Sequence, residues 1–282
     1  MTAQDWDWPE FGLQADIRPA LAHAKAAQHD CVIATLTALE GSAPRPLGTQ
    51  MAFVGDVISG YLSGGCIEAD IAHHAAATLI DDRPRELVYG RGSPWLDIRL
   101  TCGGRMELFL ERVGYDDPAV EALLVLNKDR RPAVWTSDGH RRRVSEAQSP
   151  KSATDINARY AMLYQPRWRL MLAGGGPVAL ALGRLAAESG FEVIFIRPRG
   201  PIAGPAIDGV VYVRDAIPEA MDALGIDPWT AIVSLSHDDA IDDELAFRAL
   251  QGGAGYVGIM GAATRAEGRR QRLRAAGIAD SA

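Results

Sequence analysis

The stretch LMLAGGGPVALALGRLAAESGFEVIFI, residues 170–196, decides the architecture of the second half of this 282-residue chain. Leu170 to Ala173 is a short apolar run that stops at glycine and reads as a strand. Val178 to Ser189 has helical spacing, and Val193 to Ile196 is the next strand. Between the first two lies Gly174-Gly175-Gly176-Pro177-Val178-Ala179, which fits G-x-G-x-x-A in a strand-to-helix setting. Glycines there let the backbone approach an anion, and the helix start offers free N–H groups and a positive dipole end. Tight strand-to-helix packing is the ligand-free reading of the same glycines.

The alternation continues through Val210 to Val213, Pro218 to Leu224, Ala231 to Leu235, Asp242 to Leu250, Tyr256 to Met260 and Thr264 to Ala276. Strands alternating with helices of this length imply a parallel sheet with right-handed crossovers. A Rossmann-like, doubly wound domain is therefore expected over 167–282. A dinucleotide site usually shows an acid about 20 positions after the glycines. Arg197 stands there, with Arg199 close by. Arginine suits a 2′-phosphate or another phosphorylated group, and a solvated strand-end arginine is the alternative. His237 and Asp238 follow a buried strand at the end where open parallel sheets bind ligands, with a helix N-cap as the structural alternative. The arginines at 265, 269, 270, 272 and 274 read as a solvated helix face.

The first half, 1–145, reads as a separate mixed α/β domain. A helix is expected at Ile17 to Gln28 and a buried strand at Cys31 to Ala38. A hairpin turns at Gly55-Asp56, a helix runs from Ile67 to Leu79, and strands fall at Glu86 to Tyr89, Ile98 to Leu100 and Arg105 to Glu111. Three glycine-rich loops recur: Gly41-Ser42-Ala43-Pro44-Arg45-Pro46, Ser63-Gly64-Gly65-Cys66-Ile67-Glu68 and Thr101-Cys102-Gly103-Gly104. Cys66 falls near a helix start, a location that favours thiolate, although free cysteine is often an inert buried residue. Glu68 either caps that helix or presents a carboxylate to a ligand. Cys31 reads as core. The polar, proline-broken stretch 146–166 is taken as a linker.

Composition narrows the classes. Lys plus Arg is 29 and Asp plus Glu is 36, a net charge of −7, which argues against nucleic acid and against a polybasic membrane anchor. Three cysteines cannot all pair and show no metal-ligand spacing; reduced thiols in the cytoplasm follow most simply. The N-terminus, MTAQDWDWPE, lacks the apolar run of a secretory signal. The apolar stretch from Leu170 to Gly183 is shorter than the ~20 residues of a membrane helix.

Taken together, the loops resemble the XdhC/CoxI family, the maturation factors of xanthine and carbon monoxide dehydrogenases. The residues carrying the resemblance are GSAPRPLGTQM (41–51), GYLSGGCIEADI (60–71), CGGRMELFLE (102–111), the glycine-turn stretch at 170–193, SLSHDDAIDDELAFRAL (234–250) and YVGIMGAATRAEGRRQRL (256–273). They cover nearly the whole chain in order.

The resemblance implies an N-terminal XdhC/CoxI-type domain followed by a Rossmann-like one. It implies a maturation factor rather than a catalyst: a chaperone that binds molybdenum cofactor, protects it and delivers it to a molybdenum hydroxylase, with a link to sulfuration by a cysteine desulfurase. Carried over by position, Ser42, Arg45, Gly64, Gly65, Cys66 and Glu68 belong to the first-half site, with Cys66 the reactive group. His237 and Asp238 belong to the Rossmann-side site, joined there by Gly174, Gly176 and Arg197 from the reading of the glycine turn and the strand end, and both sets are expected to face one cleft. The cofactor is expected in its molybdopterin or cytosine dinucleotide form, and the oligomeric state stays open, a homodimer being one reading. Three departures stand out: Arg197 replaces the family's usual acid, Gly261-Ala262-Ala263 replaces a Gly-Ser-Arg-type turn, and the chain stops at Ala282 without the usual final segment. Two other readings stay open, an NADP-dependent oxidoreductase resting on the glycine turn and a thiol-based redox or interaction module.

Overall fold

The computed structural model describes residues 10–13, 15–94, 100, 103–147, 160–201, 203–236 and 238–279. Cys102, His237 and most of the strand expected at Ile98 to Leu100 lie outside the described residues. The chain divides into two units, Met1–Pro166 and Arg167–Ala282.

In the first unit β1 (Cys31–Glu40) is buried on both faces. Cys31 and Ile33 point into one core with Leu21, Trp135 and Tyr164, while Val32, Ala34 and Leu36 point into a second with Ile71, Tyr89 and Leu108. The two-residue side-chain period makes one apolar strand serve two cores. β2 (Gln50–Val54) and β3 (Val57–Ser59) form the hairpin at Gly55-Asp56. With β4 (Arg85–Gly90) and β5 (Arg105–Val113) they complete an antiparallel sheet ordered β3-β2-β1-β5-β4. Helices α1 (Arg18–Ala27) and α3 (Pro118–Lys128) cover the first core, and α2 (Glu68–Asp81) covers the second.

The linker expected over 146–166 needs correction near its end. β6 (Ala133–Ser137), β7 (Arg142–Glu146) and β8 (Tyr160–Tyr164) form an antiparallel sheet ordered β7-β6-β8, so Tyr160 to Tyr164 belongs to the first unit. Both tyrosine hydroxyls find buried acceptors, Tyr160 on Glu111 at 2.8 Å and Tyr164 on Gln50. Glu111, fully buried, also accepts from Ser137 Oγ at 2.7 Å and Arg142 Nε at 2.8 Å. A polar flank concealed a strand whose polar groups are satisfied inside.

The second unit is the doubly wound domain. β9 (Arg169–Ala173), β10 (Glu192–Ile196), β11 (Val210–Val213), β12 (Thr230–Ser234) and β13 (Tyr256–Ile259) lie parallel in the order β11-β10-β9-β12-β13. Alternate residues of each strand serve opposite layers. Leu170, Leu172, Val193 and Phe195 pack with α4 (Pro177–Glu188), whereas Met171, Ile194 and Ile232 pack with α5 (Ile217–Leu224) and α6 (Asp239–Gln251). The last helix, α7 (Ala263–Ala275), is held to α6 by ion pairs. None of the described helices is long and apolar enough to cross a membrane.

The solvated arginine face expected on this last helix is corrected at Arg269, which is buried. It donates to Asp242 at 3.0 Å and to Asp243 at 3.1 Å. A charge on a weakly amphipathic helix goes inward when a buried counter-charge waits there.

Candidate functional site

Strand register gathers the first unit's glycine loops at one end of the larger sheet. Glu40 and Gly90 both pair with Arg105, and Ser59 pairs with Ala52 near the start of β2. The loops after β1 and β3 and the segment entering β5 therefore open at the same edge. Gly41 and Gly104 approach so closely that a Cβ on Gly41 would lie 3.4 Å from the Gly104 Cα.

Glu68, the first residue of α2, folds back into the Ser63–Ile67 loop. Its carboxylate accepts from the amides of Leu62 (3.0 Å), Ser63 (2.7 Å), Gly64 (3.2 Å), Gly65 (2.9 Å) and Ile67 (3.2 Å), and from Ser63 Oγ (2.6 Å). Gly64 and Gly65 have φ of +84° and +112°, the left-handed backbone that wraps the loop around the carboxylate. Burial opposes the charge, yet the hydroxyl and amides of Ser63 and the amide of Leu62 outweigh it and hold the Glu68 carboxyl below its ordinary range. The loop amides are thus spent on an internal anion. What the loop offers outward is the exposed Cys66 side chain.

Arg45, on the neighbouring loop, stacks over the Tyr61 ring at 4.9 Å. Its Nε is buried with no hydrogen-bond partner, and no described carboxylate pairs with its guanidinium. A cavity of about 430 Å³ opens there, lined by Phe11, Gly12, Arg45, Tyr61, Gly64, Gly65 and Glu68. Buried donors normally find acceptors, and Arg45, which lines this cavity, keeps one N–H without any. Ser42 is exposed on the Arg45 loop.

In the second unit Gly174 to Gly176 turn from β9 into α4, with Gly176 as the N-cap. The guanidinium of Arg197 lies directly over Gly175, where a Cβ would push that side chain aside. A Cβ on Gly174 would sit 2.8 Å from the Leu235 carbonyl, where β12 ends. The sheet order reverses between β9 and β12, the switch point at which such sheets bind ligands. Asp238 caps α6, accepting from the amides of Ala240 at 3.0 Å and Ile241 at 3.4 Å, and its other oxygen lies 3.6 Å from Arg199.

Of the residues singled out from sequence, Arg45, Gly64, Gly65 and Glu68 share one cavity, with Cys66 on the adjoining loop. Gly174 and Arg197 share another with Gly175. Gly176 stands at the helix start, and Asp238 acts as a cap. Sequence reading missed Tyr61, although it lies inside GYLSGGC, and Phe11, whose chain neighbourhood carries no motif. It also missed Arg214, which ends β11 as Arg197 ends β10, and Asp242, which orders the loop before α6 through Ser234 (2.5 Å) and Ser236 (2.7 Å).

The XdhC and CoxI family model matches residues 24–90, and the XdhC Rossmann domain model matches 170–282. The chain is 31% identical over 278 residues to the molybdenum cofactor insertion chaperone PaoD of Escherichia coli (strain K12), spanning 96% of this chain and 80% of that protein. This chain belongs to the XdhC and CoxI family. A further relative of this XdhC/CoxI chain, a probable xanthine dehydrogenase component from Bacillus subtilis (strain 168), is 27% identical over 281 residues, spanning 84% of this chain and 81% of that one. The crystal structure of a xanthine dehydrogenase from Bacillus halodurans superposes with a TM-score of 0.68 at 23% identity, covering 91% of this chain and 84% of the other. That likeness places the XdhC/CoxI chain in the same fold.

Proposed function

We propose that this XdhC/CoxI protein binds molybdenum cofactor as cargo, shields it and delivers it to a molybdenum hydroxylase of the xanthine or carbon monoxide dehydrogenase type. The observation that carries the reading is Arg45. Its guanidinium stacks on Tyr61, its Nε is buried without a partner, and the residue lines a 430 Å³ cavity beside the exposed Cys66 loop. The cargo has a flat pterin, a terminal phosphate and sulfur-held molybdenum. Arg45 supplies donors for an anionic or carbonyl oxygen. Tyr61 and Phe11 supply apolar faces, and the Cys66 thiol is a soft group suited to a sulfur-rich centre. Glu68 acts as a positioning residue, holding the loop that presents the thiol. Ser42, exposed on the Arg45 loop, supplies a further hydroxyl.

The finer parts of the proposal rest on the same chemistry. The pterin is carried as molybdopterin or as its cytosine dinucleotide, which adds a pyrophosphate. An accessible Cys66 could receive sulfur from a cysteine desulfurase: the thiol takes the terminal sulfur of the enzyme's persulfide and leaves that enzyme its thiol. The chain works in the cytoplasm, where the thiol stays reduced, and as a homodimer.

The test is cofactor retention. The protein is isolated from molybdenum-replete cells, and molybdenum is measured by mass spectrometry and pterin by fluorescence after oxidation. The wild type should retain both. Arg45→Ala and Cys66→Ala should each retain at least about tenfold less with unchanged circular dichroism. Equal recovery from all three proteins removes this cavity from the function.

A further inference from the structure

Arg197 and Arg214 occupy equivalent positions at the ends of neighbouring parallel strands. Ile196 pairs with Val213, and the Arg197 amide donates to the Val213 carbonyl at 2.8 Å, so the next residue of each strand is an arginine. Neighbouring strands lie about 4.8 Å apart. Both side chains line one cavity of about 240 Å³, together with Gly174, Gly175, Pro201 and Pro205. Among the described residues neither arginine has a carboxylate partner. Other arginines nearby do: Arg199 pairs with Asp238 and Arg169 with Glu192. Polar cavities elsewhere are self-satisfied too, as where Arg112 pairs with Asp30 and Arg142 with Glu111 and Asp117.

Two arginines without a counter-charge on one cavity can each give a charge-assisted interaction to a bound dianion. The position specifies which dianion. The residue after the second strand of a doubly wound sheet faces the ribose of a bound dinucleotide, where an acid selects the free 2′-hydroxyl and an arginine accommodates a 2′-phosphate. Arg197 holds that position, its guanidinium resting against Gly175 of the glycine turn. We propose that the second unit binds an NADP(H)-type dinucleotide, with the 2′-phosphomonoester held between Arg197 and Arg214. The proposal does not depend on the pterin reading.

The experiment is calorimetric titration of the full-length protein with NADPH, NADH, CDP and inorganic phosphate. NADPH should bind ~10- to 100-fold more tightly than NADH. Arg197→Gln and Arg214→Gln should each abolish most of that preference, and Arg214→Lys should keep part of it. Circular dichroism of the variants should match the wild type. Equal affinity for NADPH and NADH, or no NADPH binding, overturns the proposal. So does CDP binding tighter than NADPH, which would give the cavity to a pyrophosphate. Phosphate alone binding as well as NADPH would reduce it to a bare anion site and also overturn it. None of these readouts involves pterin, so this inference and the cargo reading fail independently.

Discussion

Arg269 Nη2 lies 3.0 Å from Asp242 Oδ2, and both side chains are buried, with relative exposures of 8% and 1%. Asp242 also accepts from Ser234 and Ser236 in the loop after β12. One carboxylate thus ties the last helix to the loop that leads to the Asp238 cap. Removing the arginine leaves a buried carboxylate with hydroxyl donors alone. Arg269→Met should destabilise the second unit by about 3–5 kcal/mol, read as a lower urea midpoint. A loss below about 1 kcal/mol, the worth of a surface pair, would mean that water reaches Asp242.

Glu68→Gln keeps the side chain's shape but replaces one acceptor oxygen with an NH₂ donor. Amides of the Ser63–Ile67 loop lose their acceptor, and the cost should be about 2–3 kcal/mol. The pH dependence has a fixed sign. Because the folded group's pKa lies below the ordinary 4.5, the stabilisation is complete above 4.5. It fades as pH falls from there through the lower folded value, where the unfolded chain takes up its proton first. Urea unfolding of wild type and variant across that acid range should converge as pH falls. Parallel curves would remove Glu68 as the titrating group.

The two described cysteines should react differently. Cys31 is buried at the start of β1, and burial pushes its thiol up to about 12. Cys66 is exposed. Brief iodoacetamide treatment of the folded protein near neutral pH should therefore label Cys66 and spare Cys31, with Cys31 labelled only in denaturant. Peptide mass mapping reads this directly. Rapid labelling of Cys31 in the folded state would contradict its burial.

Tyr160→Phe tests the corrected boundary. Its hydroxyl donates to the buried Glu111 at 2.8 Å, so the variant should cost about 1–3 kcal/mol by thermal unfolding of the first unit. A residue in a free linker would cost nothing measurable.

Periodicity alone carried much of the architecture. The strand–helix alternation after Leu170 needed only local pattern, because parallel strands with crossover helices bury their apolar residues in long, clear runs. The same logic placed β1, the Gly55-Asp56 hairpin and α2. β8 escaped because Tyr160 and Tyr164 satisfy distant partners, Glu111 and Gln50, and sequence spacing carries no trace of a partner dozens of residues away.

The amino-acid sequence by itself determined the glycine turn at Gly174 to Gly176, the loops flanking Cys66 and the family to which they belong, since each is a local pattern of residue types. Only the tertiary structure decided how those residues are spent. It turned Glu68 inward onto five amides, left Arg45 Nε without a partner above Tyr61, buried Arg269 against Asp242 and set Arg197 beside Arg214. The physical reason is that an ionisable group's role depends on its burial and on partners brought close by chain folding.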